Sequence, residues 1–431
     1  MKFTAAGDAI IQRRIQNDYI GYGELAPFIN RGDAKFYNLE TTLNYPGECC
    51  ASQFSGGTYI RTYPEVLDDI EKFGFNMTTF NNNHAMDFSY GGFMSTLEAI
   101  EERCIVHAGC GRNLAEASAP RYLDTEAGRV ALISVNSNFD PSMMAGKQTE
   151  RLPGRPGING LRIEEKITVN AEEMAFIKKL AKKTQINASR EITIKEGYFP
   201  PVPDNQEQLG IHMKFELGEK TEYVRKIKDA DIKRVEAAIY EAKLQADYII
   251  VSVHSHQIAG DSKENPADFL IDFARHCIDV GANAIIGHGP HLLRPIEVYK
   301  DSPIFYSLGD FILELYNIEL APEEFYEKYG FTSADTVHDL LKTRSKDFTV
   351  GLMEDKRMLE TVIPYWESDD DGKLTRLELL PVELAMRGKK SEIGLPRIAK
   401  DTSLVDRLAK MSEPYGVKMT LRDDGIAECK W

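Results

Sequence analysis

Two short segments concentrate the histidines of this chain. Residues 250–256 read Ile-Val-Ser-Val-His-Ser-His and residues 287–291 read Gly-His-Gly-Pro-His, so four of the nine histidines fall in two places. A pair of histidines directly after an apolar run fits badly in a core. The second pair lies in a loop shaped by glycines and a proline. Oxygen donors stand elsewhere in matching positions: Asp8 after Gly7, Glu40 closing Asn38-Leu39-Glu40, and Asn83 in Asn81-Asn82-Asn83-His84. Divalent-cation chemistry unites these types. Neutral imidazoles suit Zn, Mn or Fe, and an asparagine adds an uncharged carbonyl oxygen. Two ions about 3.5–4 Å apart can clamp the attacking and leaving oxygens of a phosphoryl displacement. A carboxylate shared between them lowers their mutual repulsion, and Glu40 is the candidate. The set contains no thiolate, which argues against a structural zinc site.

Taken singly, several of these residues have a plainer reading. Gly7-Asp8 suits a turn after a strand. Glu40 suits a solvated strand end. Asn81–Asn83 suits a helix cap. Their placement carries more weight. Apolar runs of strand length, Lys2–Ala6, Ala34–Leu39, Asn76–Phe80, Asp247–Val253 and Ala284–Ile286, each deliver one candidate at or just past the C-terminal end. In layered α/β sheets that edge is where sites assemble.

Helical patterns alternate with these strands, at Gly23–Asn30, from Pro64 to about Phe73, Gly92–Arg103, about Asp229–Leu244 and Ala267–Val280, and the alternation indicates an α/β layered domain. Arg294–Tyr299 and Ile304–Leu308 read as a hairpin turning at Lys300-Asp301. Phe348–Met353, Lys356–Pro364 and Leu374–Leu384 read as further strands. The expected organisation is one domain over 1–384, with insertions at about 183–226 and 313–346, followed by a polar C-terminal appendage at 385–431.

The composition excludes some functions. A formal charge of −15 argues against broad nucleic-acid binding, which needs a basic footprint. It leaves approach of an anionic substrate dependent on a local positive feature such as bound cations. No apolar run approaches the roughly 18 residues of a membrane helix, and Met1-Lys2-Phe3 begins no secretory signal. The expectation is therefore a cytoplasmic chain without a membrane anchor. The six cysteines are read as free thiols.

In chain order, GD, NLE, NNNHAMDF, VSVHSH, GHGPH and PIFYSLGDF resemble the CapA family of poly-γ-glutamate capsule synthesis proteins, within the metallophosphoesterase superfamily. The resemblance spans roughly residues 1–312. It implies a calcineurin-like fold, a layered α/β sandwich of two mixed sheets flanked by helices. It also implies two divalent metal ions (Mn, Zn or Fe) and a metal-dependent hydrolase, cleaving a phosphate ester in an anionic small molecule or polymer. The alternative it leaves is a non-catalytic or amide-acting component of poly-γ-glutamate capsule synthesis.

Position by position, the resemblance gives Asp8 and His291 to one metal, Asn83, His254 and His288 to the other, and the bridging place to Glu40. It makes His84 catalytic, with Asp87 orienting it, and directs Arg13 towards a substrate oxyanion. Three departures accompany it. Ile10 stands where many superfamily members place a histidine. His254-Ser255-His256 replaces a common HWG, leaving His256 as a substrate contact or extra ligand. SLGNF becomes Ser307-Leu308-Gly309-Asp310-Phe311, with Asp310 read as a loop residue rather than a ligand, its carboxylate able to reach the groups around the ligands.

Overall fold

The first segment, Lys2–Ile10, is apolar at most positions and buried at all but its first, as befits a strand covered on both faces. A computed structural model describes residues 1–210, 213–351, 354–386 and 388–431. Among the described residues this strand is the centre of a ten-stranded mixed sheet. Ala34–Leu39, Met77–Thr79 and Val106–Ala108 follow it in parallel on one side. Glu360–Ser368 and Leu374–Leu384 run antiparallel on the other. At its far end Asp310–Leu313 takes over the pairing in parallel, with Asp8 opposite Asp310.

A six-stranded mixed sheet runs in the order Ile296–Tyr299, Ser302–Phe305, Ala284–His288, Tyr248–His254, Gly128–Asn136 and Arg121–Thr125. One core draws on both sheets: Phe3, Phe36 and Met77 pack with Leu132, Ile250 and Ile286. A second core sets Tyr37 and Leu39 against Leu25, Ile70, Phe93 and Leu97 of the helices Ile20–Ile29, Val66–Glu71 and Ser89–Glu102. The protein is thus a mixed α/β structure.

Ala34–Leu39 and Leu374–Leu384 are present with their expected bounds; the hairpin is present with shorter, shifted strands, Ile296–Tyr299 and Ser302–Phe305, and its Lys300 and Asp301 have φ of 50° and 60°. Such left-handed residues match a tight turn to strand twist. Others differ. The first strand runs through Asp8 to Ile10 instead of stopping at Ala6. The strand expected at Phe348–Met353 is not formed over 348–351, which are turn and bend; Lys346, Asp347 and Phe348 have φ of 51°, 60° and 55°, incompatible with a strand. Leu352 and Met353 lie outside the described residues.

The residues expected as an appendage add three strands to the ten-stranded sheet, Pro396–Ile398, Lys418–Leu421 and Ala427–Lys430. Between them the helix Ser403–Ser412 buries Leu404, Val405 and Leu408 in the shared core. An apolar face inside a polar average was the signal. Residues 313–346 carry two short helices, Glu323–Glu327 and Val337–Arg344, around Leu315, Phe325 and Leu340.

Leu161–Ile232 forms a second unit that contains the stretch 183–226. It has its own four-stranded sheet and the helix Ala171–Thr184, started by an Asn170–Glu173 capping box. Among the described residues, no helix is long and apolar enough to cross a membrane.

Gly7 places Asp8. A Cβ there would lie 1.8 Å from the Gly309 carbonyl oxygen, which accepts the Asp8 N–H at 3.0 Å. Gly7→Ala should therefore destabilise the chain by about 1–3 kcal/mol, seen as a lower urea midpoint with unchanged slope. An unshifted midpoint would mean that the two strands part without cost.

Candidate metal centre

Most candidate side chains lie at or just past the C-terminal end of a strand. In the six-stranded sheet His254 and His288 are direct parallel partners at the ends of neighbouring strands, so their rings emerge side by side. From the ten-stranded sheet come Asp8, Glu40 just past Leu39, and Asn83 and His84 in the loop after Met77–Thr79. His291 follows three residues after His288 with φ of 61°, a strained value that turns its ring back towards the cluster.

Three groups result in which each residue offers one donor atom within 4.8 Å of the others: Asp8, His254 and His288; Glu40, His254 and His256; Asp8, His291 and Asp310. His254 links the first two and Asp8 the first and third. Asn83 joins through its Oδ1, 2.5 Å from His254 Nε2 and 3.2 Å from His256 Nε2. His254 and His288 approach through their Nδ1 atoms at 2.9 Å, and His288 Nδ1 is 3.4 Å from Asp8 Oδ1. All are buried except His256, which is half-buried.

Asp8 is held by neutral donors. Asn38 Nδ2 donates to Oδ1 at 2.6 Å and the Gly289 N–H to Oδ2 at 2.8 Å. Asn82 in turn donates to Asn38 Oδ1 and to the Leu39 carbonyl, and its own Oδ1 accepts the His84 N–H. This amide chain ties the Asp8 strand to the Asn83–His84 loop. His84 Nδ1 meets Asp87 Oδ2 at 2.7 Å, while Asp87 accepts the Gly56 and Ile60 N–H groups. His84 Nε2 lies 4.0 Å from Glu40 Oε1.

Charge is distributed unevenly. Burial opposes ionisation of Asp8, but His288, His291 and Asn38 hold its pKa below the usual aspartate value. Glu40 goes the other way: burial, then the charges of Asp8, Asp310 and Asp87, raise its pKa well above the ordinary glutamate value. Among the described residues, neither Glu40 oxygen has a hydrogen-bond partner, and Asp310 Oδ2 has none. Burial and the neighbouring imidazoles depress His254 and His256 strongly, keeping them neutral as ligands must be. His291 is pushed down by burial, but Asp310 and Asp8 outweigh that and raise it.

These residues fit divalent cations. The donors are carboxylate, amide oxygen and neutral imidazole without thiolate, and the orphaned carboxylate oxygens need positive charge.

Arg13 is not brought to the cluster. Its Nε donates to Glu314 at 2.7 Å and its Nη2 to the Lys390 and Ile393 carbonyls, which fastens the segment after the first strand to the C-terminal region. Asp310, expected in a loop, instead opens a strand and enters the cluster.

Sequence reasoning also passed over three supporting residues. Asn38 lay inside a motif read only for its glutamate. Ser252 is buried and shares a hydrogen bond with His288 Nε2 at 2.7 Å. Arg294, fully buried, bonds the carbonyls of Lys263, Ser255, His256 and Gln257, fixing the loop that carries His256. A polar residue inside an apolar strand was the available signal for Ser252; for Arg294 the sequence held none.

A family model described as bacterial capsule synthesis protein PGA_cap matches residues 2–314, a span that holds every residue of the cluster. The uncharacterized protein y4sH of Sinorhizobium fredii is 30% identical over 97% of this chain and 91% of its own length. Capsule biosynthesis protein CapA of Bacillus anthracis is 20% identical over 73% of this chain and 60% of its own. PGA biosynthesis protein CapA of Bacillus subtilis is 45% identical over a shorter stretch, 18% of this chain and 19% of its own.

Because folding raises the Glu40 pKa, the metal-free chain gains stability while this carboxyl is protonated and loses it as pH rises through the folded value. Glu40→Gln cannot ionise. In chelator it should lose less stability than the parent between about pH 5 and pH 8, measured by urea unfolding. Equal losses would show that Glu40 ionises there without penalty.

Proposed function

This chain belongs to the bacterial capsule synthesis protein family PGA_cap, and we propose that it is a metal-dependent hydrolase of that family, cleaving a phosphate ester in an anionic small molecule or polymer. The observation that carries this reading is the buried Glu40 carboxylate, whose two oxygens have no donor among the described residues while Asp, Asn and His side chains surround it. The architecture that goes with it is a calcineurin-like layered sandwich, supported by the core shared between two mixed sheets.

In this reading Asp8 and His291 hold one divalent ion, Asn83, His254 and His288 a second, and Glu40 both; Mn, Zn and Fe match such donors. When bound, the ions supply charge stabilisation to a reacting phosphoryl group. The protein supplies the rest. Asp87, an acceptor already engaged by two backbone N–H groups, keeps a proton on His84 Nδ1. His84 therefore presents Nε2 to the substrate and, when protonated, donates to a phosphoryl oxygen or the departing alkoxide. Exposed Lys263, whose charge acts on His291 and Asp310, favours an anionic substrate. His256, half-buried beside Asn83 and His254, stands where a substrate would enter.

The names of the Bacillus relatives favour a second reading, a non-catalytic component of poly-γ-glutamate capsule synthesis in which ions only stabilise the fold. One variant separates the two. His84→Ala should retain its metal yet lose about 10²–10⁴-fold in turnover on a panel of phosphomonoesters and phosphodiesters. Parental rates in the variant, or no turnover of any ester by the metal-loaded parent, would count against the hydrolase.

A further inference from the structure

We propose that Asp310 is itself a metal ligand, the donor that completes the ion site of Asp8 and His291. The proposal rests on the metal-centre reading above and adds a residue to it.

Asp310 opens the strand Asp310–Leu313 directly opposite Asp8 and is 1% exposed. Its Oδ1 stands 2.9 Å from His291 Nδ1, and Asp8, His291 and Asp310 bring one donor each within 4.8 Å of one another. Its Oδ2 is buried without a partner among the described residues. A side chain that only oriented the His291 ring would need one acceptor oxygen, and an asparagine would serve as well. The carboxylate adds a second oxygen and a negative charge beside Asp8, which burial makes costly unless a cation shares them.

The first strand shows why a donor is needed here. Ile10, two residues after Asp8, is buried in a core cluster with Tyr59, Leu313 and Leu315 and offers no ligand atom. The first strand thus serves this end of the centre with Asp8 alone, and the neighbouring strand brings the second carboxylate.

The two ends then differ in chemistry. Asp8, Asp310 and His291 form an oxygen-rich set suited to a hard ion such as Mn²⁺. His254, His256 and His288 crowd the other end with imidazole, which suits Zn²⁺ equally well.

Mn²⁺ titration of the full-length, metal-stripped chain, with free Mn²⁺ read by electron paramagnetic resonance, tests the assignment. The parent should show two sites. Asp310→Asn should weaken one of them by at least about 100-fold, beyond the 10–100-fold of an outer partner, and leave the other unchanged. A second variant, Asp310→Cys loaded with Co²⁺, should show a thiolate-to-cobalt charge-transfer band that the cobalt-loaded parent, with the same six native cysteines, lacks. Parental Mn²⁺ affinities in Asp310→Asn, or a cobalt-loaded Asp310→Cys without the band, would overturn the assignment while the centre stands. A parent that takes up no ion would overturn both. If Asp310→Cys does not fold, the Mn²⁺ titration of Asp310→Asn decides alone.

Discussion

A buried carboxylate without a hydrogen bond is the constraint on which the rest of this structure depends. Glu40 is fully buried, neither oxygen is satisfied among the described residues, and Asp8, Asp87 and Asp310 add their charge to its surroundings. An uncompensated ion in such a place costs several kcal/mol. Asp87 escapes that cost through His84 and two backbone N–H groups, and Asp8 through Asn38 and Gly289. Among the described residues Glu40 has no such donors. Its environment is consistent when divalent cations share its charge, and the imidazoles kept neutral around it are ready to bind them.

The fold meets this constraint with two sheets over one core. The parallel strands of both sheets end at the site, which delivers carboxylates and amides from one sheet and imidazoles from the other. Close backbone contacts set the spacing. Gly7 lies against Gly309, and the Gly289 amide, at φ of 117°, donates to Asp8.

Much of this was legible in the sequence because strands and their ends write themselves in apolar runs. Asp8, Glu40, Asn83, His254 and His288 follow such runs, His291 lies in the loop after the last of them, and the structure brings them together. Local pattern failed where long-range pairing decides. Arg13 follows the first strand, but its bond to Glu314, 301 residues away, could not be read from local pattern. Asp310 reads as a loop residue from its motif, yet register with the first strand makes it part of the sheet. The C-terminal residues seemed an appendage because their apolar positions are sparse; they are also regularly placed, and they close the shared core.

The central claim is that this cluster holds a pair of divalent ions, and metal analysis of the chain tests it most directly. Protein stripped with chelator, reconstituted with Mn²⁺, Zn²⁺ or Fe²⁺ and freed of excess ion should retain about two ions per chain by elemental mass spectrometry. A folded chain that retains none of the three would contradict the account.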